Sequence, residues 1–269
     1  MNFDQLPYTW TTLYSDIRAC NVFIKNVSAS ALDEDYKKKR VAEARFLRAY
    51  FYQSLWMTYG GVPVITEPLD VSVQGDSIFK ARSTFDETYT FITTELAAIA
   101  DDLPVTADES GRATKGAALT LKGWVELFDH QWAASAASNQ QVMDLGVYSL
   151  FPDFGNLFMP GNNVNNEGIF FREYVPRVFG GRCDSYDGPT FTAGGVETAW
   201  GGVNPTQDLV DDYAMDNGLP ITDPTSGYDA QHPYVHREKR FYESIVYDGS
   251  FWYDDTIFTR QGIGSPNEI

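Results

Sequence analysis

Apolar residues recur with helical spacing through the first half of the chain. Trp10, Leu13, Ile17, Cys20 and Ile24 step by three or four, which predicts one amphipathic helix. Val41, Ala44, Leu47, Phe51 and Leu55 make a second stripe, ended by Gly60-Gly61 and Pro63. Gly60-Gly61 is expected to let the chain leave that helix at positive φ. Phe85, Tyr89, Ile92, Leu96 and Ile99 form a third stripe. Thr84 followed by Glu87 predicts a capping box at its start, and Pro104 follows its end. A fourth helix is predicted from about Thr114 to Asp129 through Ala118, Leu121, Val125 and Phe128. A fifth is predicted from Trp132 to Leu145, closed by Gly146. The last two, with their turn, span roughly 33 residues, near the ~34 of a tetratricopeptide unit. Short connections predict antiparallel helical hairpins. Trp56 and Trp124 fall within these patterns and are expected in the core.

The pattern dissolves after residue 146. Residues 1–146 hold 7 of the 22 Gly and 4 of the 13 Pro, and residues 147–269 hold the rest. The expected organisation is a tetratricopeptide-like helical region, 1–146, and a loop-rich, aromatic-rich region, 147–269, together forming one integrated fold. In the second region Glu167–Arg172 and Ser244–Tyr247 are expected to be extended. Asp208 to Tyr213 is expected as a short helix opened by Asn204-Pro205-Thr206. The fold class is therefore mainly α, helical hairpins of an α–α superhelix carrying an irregular domain with short strands.

Charge narrows the functions. The 269 residues carry 20 Lys and Arg against 37 Asp and Glu, a net −17. Such a surface repels phosphate backbones and anionic lipid, so nucleic acid is excluded as a partner. The sequence has no stretch of ~18 apolar residues and no signal-peptide pattern at its start. Two cysteines, Cys20 and Cys183, make no disulfide framework. The run Lys37 to Arg40 reads as a solvated face balancing Asp33, Glu34 and Asp35.

Catalytic signatures are weak. His232 and His236 are four apart, but Pro233 intervenes and no HExxH pattern is present, so a zinc site is disfavoured. Cys183 has no base placed beside it by sequence. The pairs Asp101-Asp102, Asp211-Asp212 and Asp254-Asp255 read as solvated faces more readily than as glycosidase carboxylates. No Walker loop, GxGxxG or GxSxG motif points to a cofactor or to hydrolysis, and no cofactor or metal is expected.

Binding is the stronger reading. Aromatics make up 15% of the chain. Flat rings stack on the C–H faces of sugars, while Asn, Asp and Arg exchange hydrogen bonds with hydroxyls. The loop-rich region sets Tyr186 near Arg182 and Asp184, Trp200 among glycines, and Trp252-Tyr253 before two acids. Each ring is either a ligand platform or a packing plug. The candidate ligand contacts are Trp252, Tyr253, Trp200, Tyr186, Arg182 and Asp184.

Several strings carry a family resemblance. Val41-Ala42-Glu43-Ala44-Arg45-Phe46-Leu47-Arg48-Ala49-Tyr50-Phe51-Tyr52 and Tyr59-Gly60-Gly61-Val62-Pro63-Val64-Ile65 resemble the SusD/RagB family, surface nutrient-binding lipoproteins of Bacteroidota. Tyr14 to Ile24, with Arg18 and Asn21, is similar to that family's preceding helix. Arg112 to Leu119 is similar to its next helix start, and Asn166 to Phe170 to its "NEiIF" segment. Asn204 to Asp211 and Met215 to Pro220 resemble "PTQ.LVD.y...nG.P". Pro233-Tyr234, Arg237 and Arg240-Phe241-Tyr242 resemble "PY..RDpRfy", with Glu238 and Lys239 where that pattern has Asp and Pro.

The resemblance implies non-catalytic capture of an oligosaccharide or polysaccharide at the outward face of the outer membrane. It also implies delivery to a SusC-type TonB-dependent transporter. Membrane contact would come only through a lipid anchor that this chain lacks; Cys20, inside a helical stripe, is not the lipidated cysteine. The chain reads as a member incomplete at both ends. A peptide-binding member, a secreted glycan-degrading enzyme and a purely protein-binding scaffold are the alternatives. The strings that carry the resemblance are expected to be scaffold and do not name the ligand.

Overall fold

A computed structural model describes residues 10–172, 188–189, 200–252 and 255–257, with the Asp255 side chain left out. The chain is mainly α. Its contacts divide it into two compact units, Met1–Leu150 with Val164–Glu173, and Phe151–Asn163 with Tyr174–Ile269.

The first unit is a run of helices: α1 (Trp10–Ser28), α2 (Glu34–Tyr59), the single turn α3 (Val71–Gln74), α4 (Phe85–Ile99), α5 (Lys115–Phe128) and α6 (Trp132–Asp144). Each long helix packs on the next, α1 on α2, α2 on α4, α4 on α5 and α5 on α6. The starts are fixed locally. Asp33 caps α2 by accepting from the Tyr36 amide, and Thr114 caps α5 by accepting from the Ala117 amide. Thr84 and Glu87 form the expected capping box on α4. Gly60 ends α2 at φ 75° with its amide on the Trp56 carbonyl. Gly61 is required for a different reason, because a Cβ there would overlap the Ser83 carbonyl.

The core of this unit draws Leu13 and Ile17 from α1, Phe46, Tyr52, Leu55 and Trp56 from α2, Ile92, Leu96 and Ile99 from α4, and Leu121 and Val125 from α5. The stripe expected on α2 is corrected. Ala44 and Leu55 of that stripe are buried, but Leu47 is exposed, and the deepest residues are Ala42, Phe46, Ala49, Tyr52, Leu55 and Trp56. This helix is clasped between α1 and α4, so burial extends round most of its girth and the visible stripe does not mark its centre. Trp124 is also corrected: it is 53% exposed, beside exposed Leu127. One side of α5 meets α4 and another meets α6, and Trp124 lies on the side neither covers.

Charge is buried here as well. Arg45 donates twice to Glu95, at 2.7 and 3.1 Å, and Arg48 adds a third bond to the same carboxylate at 2.6 Å. Arg48, 5% exposed, also donates to Asn21 Oδ1 and the Thr66 carbonyl, while Asn21 donates to the Ile65 carbonyl. Helices α1, α2 and α4 and the segment after α2 are thereby tied together. The Lys37–Arg40 run is a correction: Lys38 pairs with Asp102, Lys39 with Asp108 and Arg40 with Glu43, and only Lys37 pairs with one of the acids just before it, Glu34. Lys38 and Lys39 thus bind α2 to more distant segments, while Lys37 and Arg40 pair within the helix.

Asn166–Phe170 is a turn, not a strand. Asn165 Oδ1 accepts from the Glu167 and Gly168 amides, and the turn lays Ile169 and Phe170 on the helical core, Phe170 edge-on to Phe46 at 5.0 Å. Local side-chain bonding has won over extended pairing.

Among its described residues the second unit contains α7 (Phe154–Leu157), α8 (Gln207–Asp212), α9 (Lys239–Ser244) and a hairpin of β1 (Phe251–Trp252) and β2 (Asp255–Thr256). Thr206 caps α8, as Asn204-Pro205-Thr206 suggested. Its small core is Val210, Phe241 and Ile245, with Tyr213, Tyr234 and Tyr247 around them. Ser244–Tyr247 is likewise not a strand. The Ile245 amide closes onto the Phe241 carbonyl, and Ile245 and Tyr247 turn into the aromatic cluster.

Candidate functional site

Two of the six proposed ligand contacts fall among the described residues. Trp252 sits half-buried on β1, where it lies across from Asp255 in the antiparallel register, with Phe251 across from Thr256. Trp200 is 68% exposed next to Gly201, which adopts φ 59° and donates to the Gly188 carbonyl at 3.0 Å. Asn204 closes that turn by donating to the Gly201 carbonyl. Tyr253, Tyr186, Arg182 and Asp184 lie outside the described residues, as does Cys183.

The hairpin is anchored from below. Ile257 is buried, its amide donates to the Ser250 carbonyl, and the Gly249 amide donates to the Ile257 carbonyl. Ser250 Oγ accepts from the Tyr247 amide at 3.1 Å. Tyr247 packs on Tyr234 at 4.7 Å and on Phe241 at 5.5 Å. The loop-rich half thus uses its rings in two ways. Phe241, Tyr234 and Tyr247 are plugs, while Trp200 and Phe251 are exposed.

Arg237 holds this arrangement, a role that sequence reading missed. It is 2% exposed and, among the described residues, its side-chain bonds go to carbonyls and none to a carboxylate. It donates to the carbonyls of Val210 at 2.6 Å, Tyr213 at 2.7 Å and Pro233 at 3.1 Å, and lies over the Phe241 ring at 4.8 Å. Its amide donates to the Tyr242 hydroxyl, which donates onward to the Tyr234 carbonyl. The signal was present in the sequence, an arginine beside aromatics in a segment with no helical period.

The neighbouring departure from the family pattern also has a use. Glu238 accepts from the Ala214 amide at 3.0 Å and pairs with Arg240. Burial acts to raise its carboxyl, but the amide and Arg240 outweigh it and hold the group below the usual glutamate range.

The other chemical candidates are placed as well. His232 and His236 are exposed and sit against Asp229 and Asp216 in turns. Among the described residues no cluster of three His, Cys, Asp or Glu could hold a metal. Asp101 and Asp102 are taken by Lys115 and Lys38, and Asp211 accepts from Gln207. Cys20 is buried, which pushes its thiol up to about 11 and leaves it a poor nucleophile.

A pocket of about 150 Å³ in the helical unit is lined by Tyr14, Ile17, Arg18, Asn21, Ile65, Glu67 and Leu69. It is smaller than the ~300 Å³ at which ligand pockets begin. Tyr14 and Arg18 spend polar groups there on the Pro63 and Leu69 carbonyls. It is packing space of the scaffold.

Comparison with known proteins gives a consistent result along the chain. A family model described as "Starch-binding associating with outer membrane" matches residues 1–125, and the SusD family model matches residues 166–267. SusD-like protein P25 of Formosa agariphila is 26% identical over 180 residues, covering 64% of this chain and 33% of that protein. A solved SusD-like protein from Bacteroides fragilis superposes with a TM-score of 0.78 at 32% identity, covering 90% of this chain and 49% of the other. A solved SusD-like carbohydrate-binding protein from the same organism gives a TM-score of 0.78 at 28% identity, covering 92% and 47%. This chain therefore spans between a third and a half of the length of these relatives. These matches place the chain in the SusD/RagB family.

Proposed function

We propose that this chain captures an oligosaccharide or polysaccharide without breaking a bond, on the outward side of a bacterial outer membrane, and passes it to a SusC-type TonB-dependent transporter. The observation that carries the reading is the likeness to the Bacteroides fragilis carbohydrate-binding protein across 92% of this chain. The exposed Trp200 ring supplies the matching chemistry. In this reading residues 1–146 are the support and 147–269 hold the ligand. Trp252 and Trp200 stack on sugar rings, and Tyr253, Tyr186, Arg182 and Asp184 complete the contacts. No described helix is long and apolar enough to cross a membrane; in this reading the protein is held to the outer membrane by a lipid anchor.

The test is affinity electrophoresis of the chain through gels containing different polysaccharides, with a peptide panel and a reducing-end assay run beside it. Retardation by at least one polysaccharide with no new reducing ends is the expected result. Peptide binding alone, or growth of reducing ends, would overturn it. Co-purification of a large outer-membrane transporter from the source cells tests the delivery step.

A further inference from the structure

The register of the β1–β2 hairpin sorts its rings between two faces. Phe251 stands across from Thr256 in the antiparallel pairing, and residues directly opposite share a face. Neighbours along a strand point to opposite faces. Thr256 is followed by Ile257, which is buried, so the Ile257 face is the one turned to the core. Trp252, the neighbour of Phe251, falls on that inward face and is partly buried. Phe251 falls on the other face, with Thr256, and is 72% exposed.

The pairing also sets what lies beside the Phe251 ring. The Ile257 amide donates to the Ser250 carbonyl at 2.8 Å, so Ser250 and Ile257 form a hydrogen-bonded pair. The next pair along, Phe251 with Thr256, is then of the non-hydrogen-bonded kind, in which facing side chains approach most closely, with Cα atoms ~4.5 Å apart. Threonine is too short to cover a phenyl ring. It sets a hydroxyl-bearing side chain next to the ring and leaves the ring exposed.

This ring is held in place before any ligand arrives. The Gly249 amide donates to the Ile257 carbonyl, and Ser250 Oγ accepts from the Tyr247 amide at 3.1 Å. Tyr247 in turn packs on Tyr234 and Phe241. A ring on a braced hairpin has little backbone freedom left to lose on binding. Stacking on the C–H surface of a sugar would take its exposed apolar area out of water. A lone exposed apolar side chain is ordinary on a protein surface. Phe251 differs in adjoining a proposed glycan contact, Trp252, on a braced strand, with a hydroxyl-bearing neighbour across the ladder.

Resting on the glycan-binding reading, we infer that Phe251 is a further contact of the glycan site, stacking on a sugar ring from the outward face of the hairpin.

The experiment takes a polysaccharide that retards the chain in the gel assay and measures its binding by calorimetry to the parent, Phe251→Ala and Phe251→Tyr. Phe251→Ala should weaken binding at least ~5-fold, and Phe251→Tyr, which keeps the ring, should stay within ~3-fold of the parent. The thermal midpoint of Phe251→Ala should fall by no more than ~3 °C, because loss of an exposed ring opens no core cavity. A smaller loss of affinity in Phe251→Ala would overturn the inference, as would equal losses in the alanine and tyrosine variants. A larger fall in midpoint would overturn it too, marking the ring as packing. If the parent binds and Phe251→Ala binds equally well, this contact fails and the glycan reading stands. If the parent binds no polysaccharide, the glycan reading fails and takes this contact with it.

Discussion

The two units bury a guanidinium in opposite ways. In the helical unit Arg48 lies against the carboxylate of Glu95, with Arg45 sharing the same anion. In the loop-rich unit Arg237 is as deeply buried but rests on carbonyls of Val210, Tyr213 and Pro233 and on the Phe241 ring. The difference follows from the backbone. A helix interior consumes its own carbonyls, so Arg48 between helices pairs with an anionic side chain and finds its one carbonyl, Thr66, in the segment after α2. An irregular chain, like the last turn of a short helix, leaves carbonyls unpaired, each costly to bury, and one planar fork with five donors satisfies three of them, Val210 near the end of α8 among them. Regular structure is stapled by side-chain pairs, and irregular structure by side chains that replace the missing ladder.

The largest test of this contrast is Glu95→Gln. It leaves Arg48 buried without its anion and should cost about 3–5 kcal/mol in urea unfolding. A loss below about 1 kcal/mol would show that Arg48 does not depend on the carboxylate. The same pair has a pH signature. Burial acts to raise the Glu95 carboxyl, but Arg45 and Arg48 outweigh it and hold it below the usual glutamate range. Its contribution is therefore present above the unfolded glutamate value and is lost as pH falls through the depressed folded value. The Glu95→Gln protein should lose less stability than the parent over that acid window. Arg237, whose bonds go to carbonyls and not to a carboxylate, should give no such signature.

Arg237→Met is next. Three carbonyls lose their donor, and a cost of about 2 kcal/mol is expected, with lost near-ultraviolet dichroism from the tyrosine cluster. Arg237→Lys should not restore it, because a single ammonium cannot span the three acceptors. Full rescue by lysine would mean that charge alone, not the fork, is needed. The smallest effect is Thr84→Ala, which removes one half of the capping box on α4 and should cost about 1 kcal/mol by thermal unfolding.

The helical unit was largely legible from sequence because its signals are local and periodic. The Thr84–Glu87 box, the Thr206 cap and the Gly60 exit need only a few neighbouring residues, and all three stand where expected. Misreadings arose where a residue's surroundings come from distant elements. Leu47 and Trp124 are apolar and correctly spaced, yet point away from the neighbours that cover the rest of their helices. Asn166–Phe170 and Ser244–Tyr247 are rich in strand formers, but each is captured by a local turn, an asparagine side chain in one case and the end of α9 in the other. The loop-rich unit was the harder to read for the same reason that Arg237 matters. Its order comes from single long-range bonds, such as Arg237 to Val210, that leave no period in the sequence. Among the proposed contacts, the exposure of Trp200 was legible from its glycine setting, while Trp252 gave no sign that its hairpin would rest on buried Ile257.

The division of labour between the units is tested most directly by moving the same loss from one to the other. Trp200→Ala with Trp252→Ala removes two rings from the loop-rich unit, and Trp124→Ala with Trp132→Ala removes two exposed rings from the helical unit. Calorimetric titration of each double variant with a polysaccharide that the parent binds should show affinity falling about tenfold or more in the first, as stacking area is lost, and staying within about twofold in the second. Unchanged binding in the first variant, or a comparable loss in the second, would contradict the account.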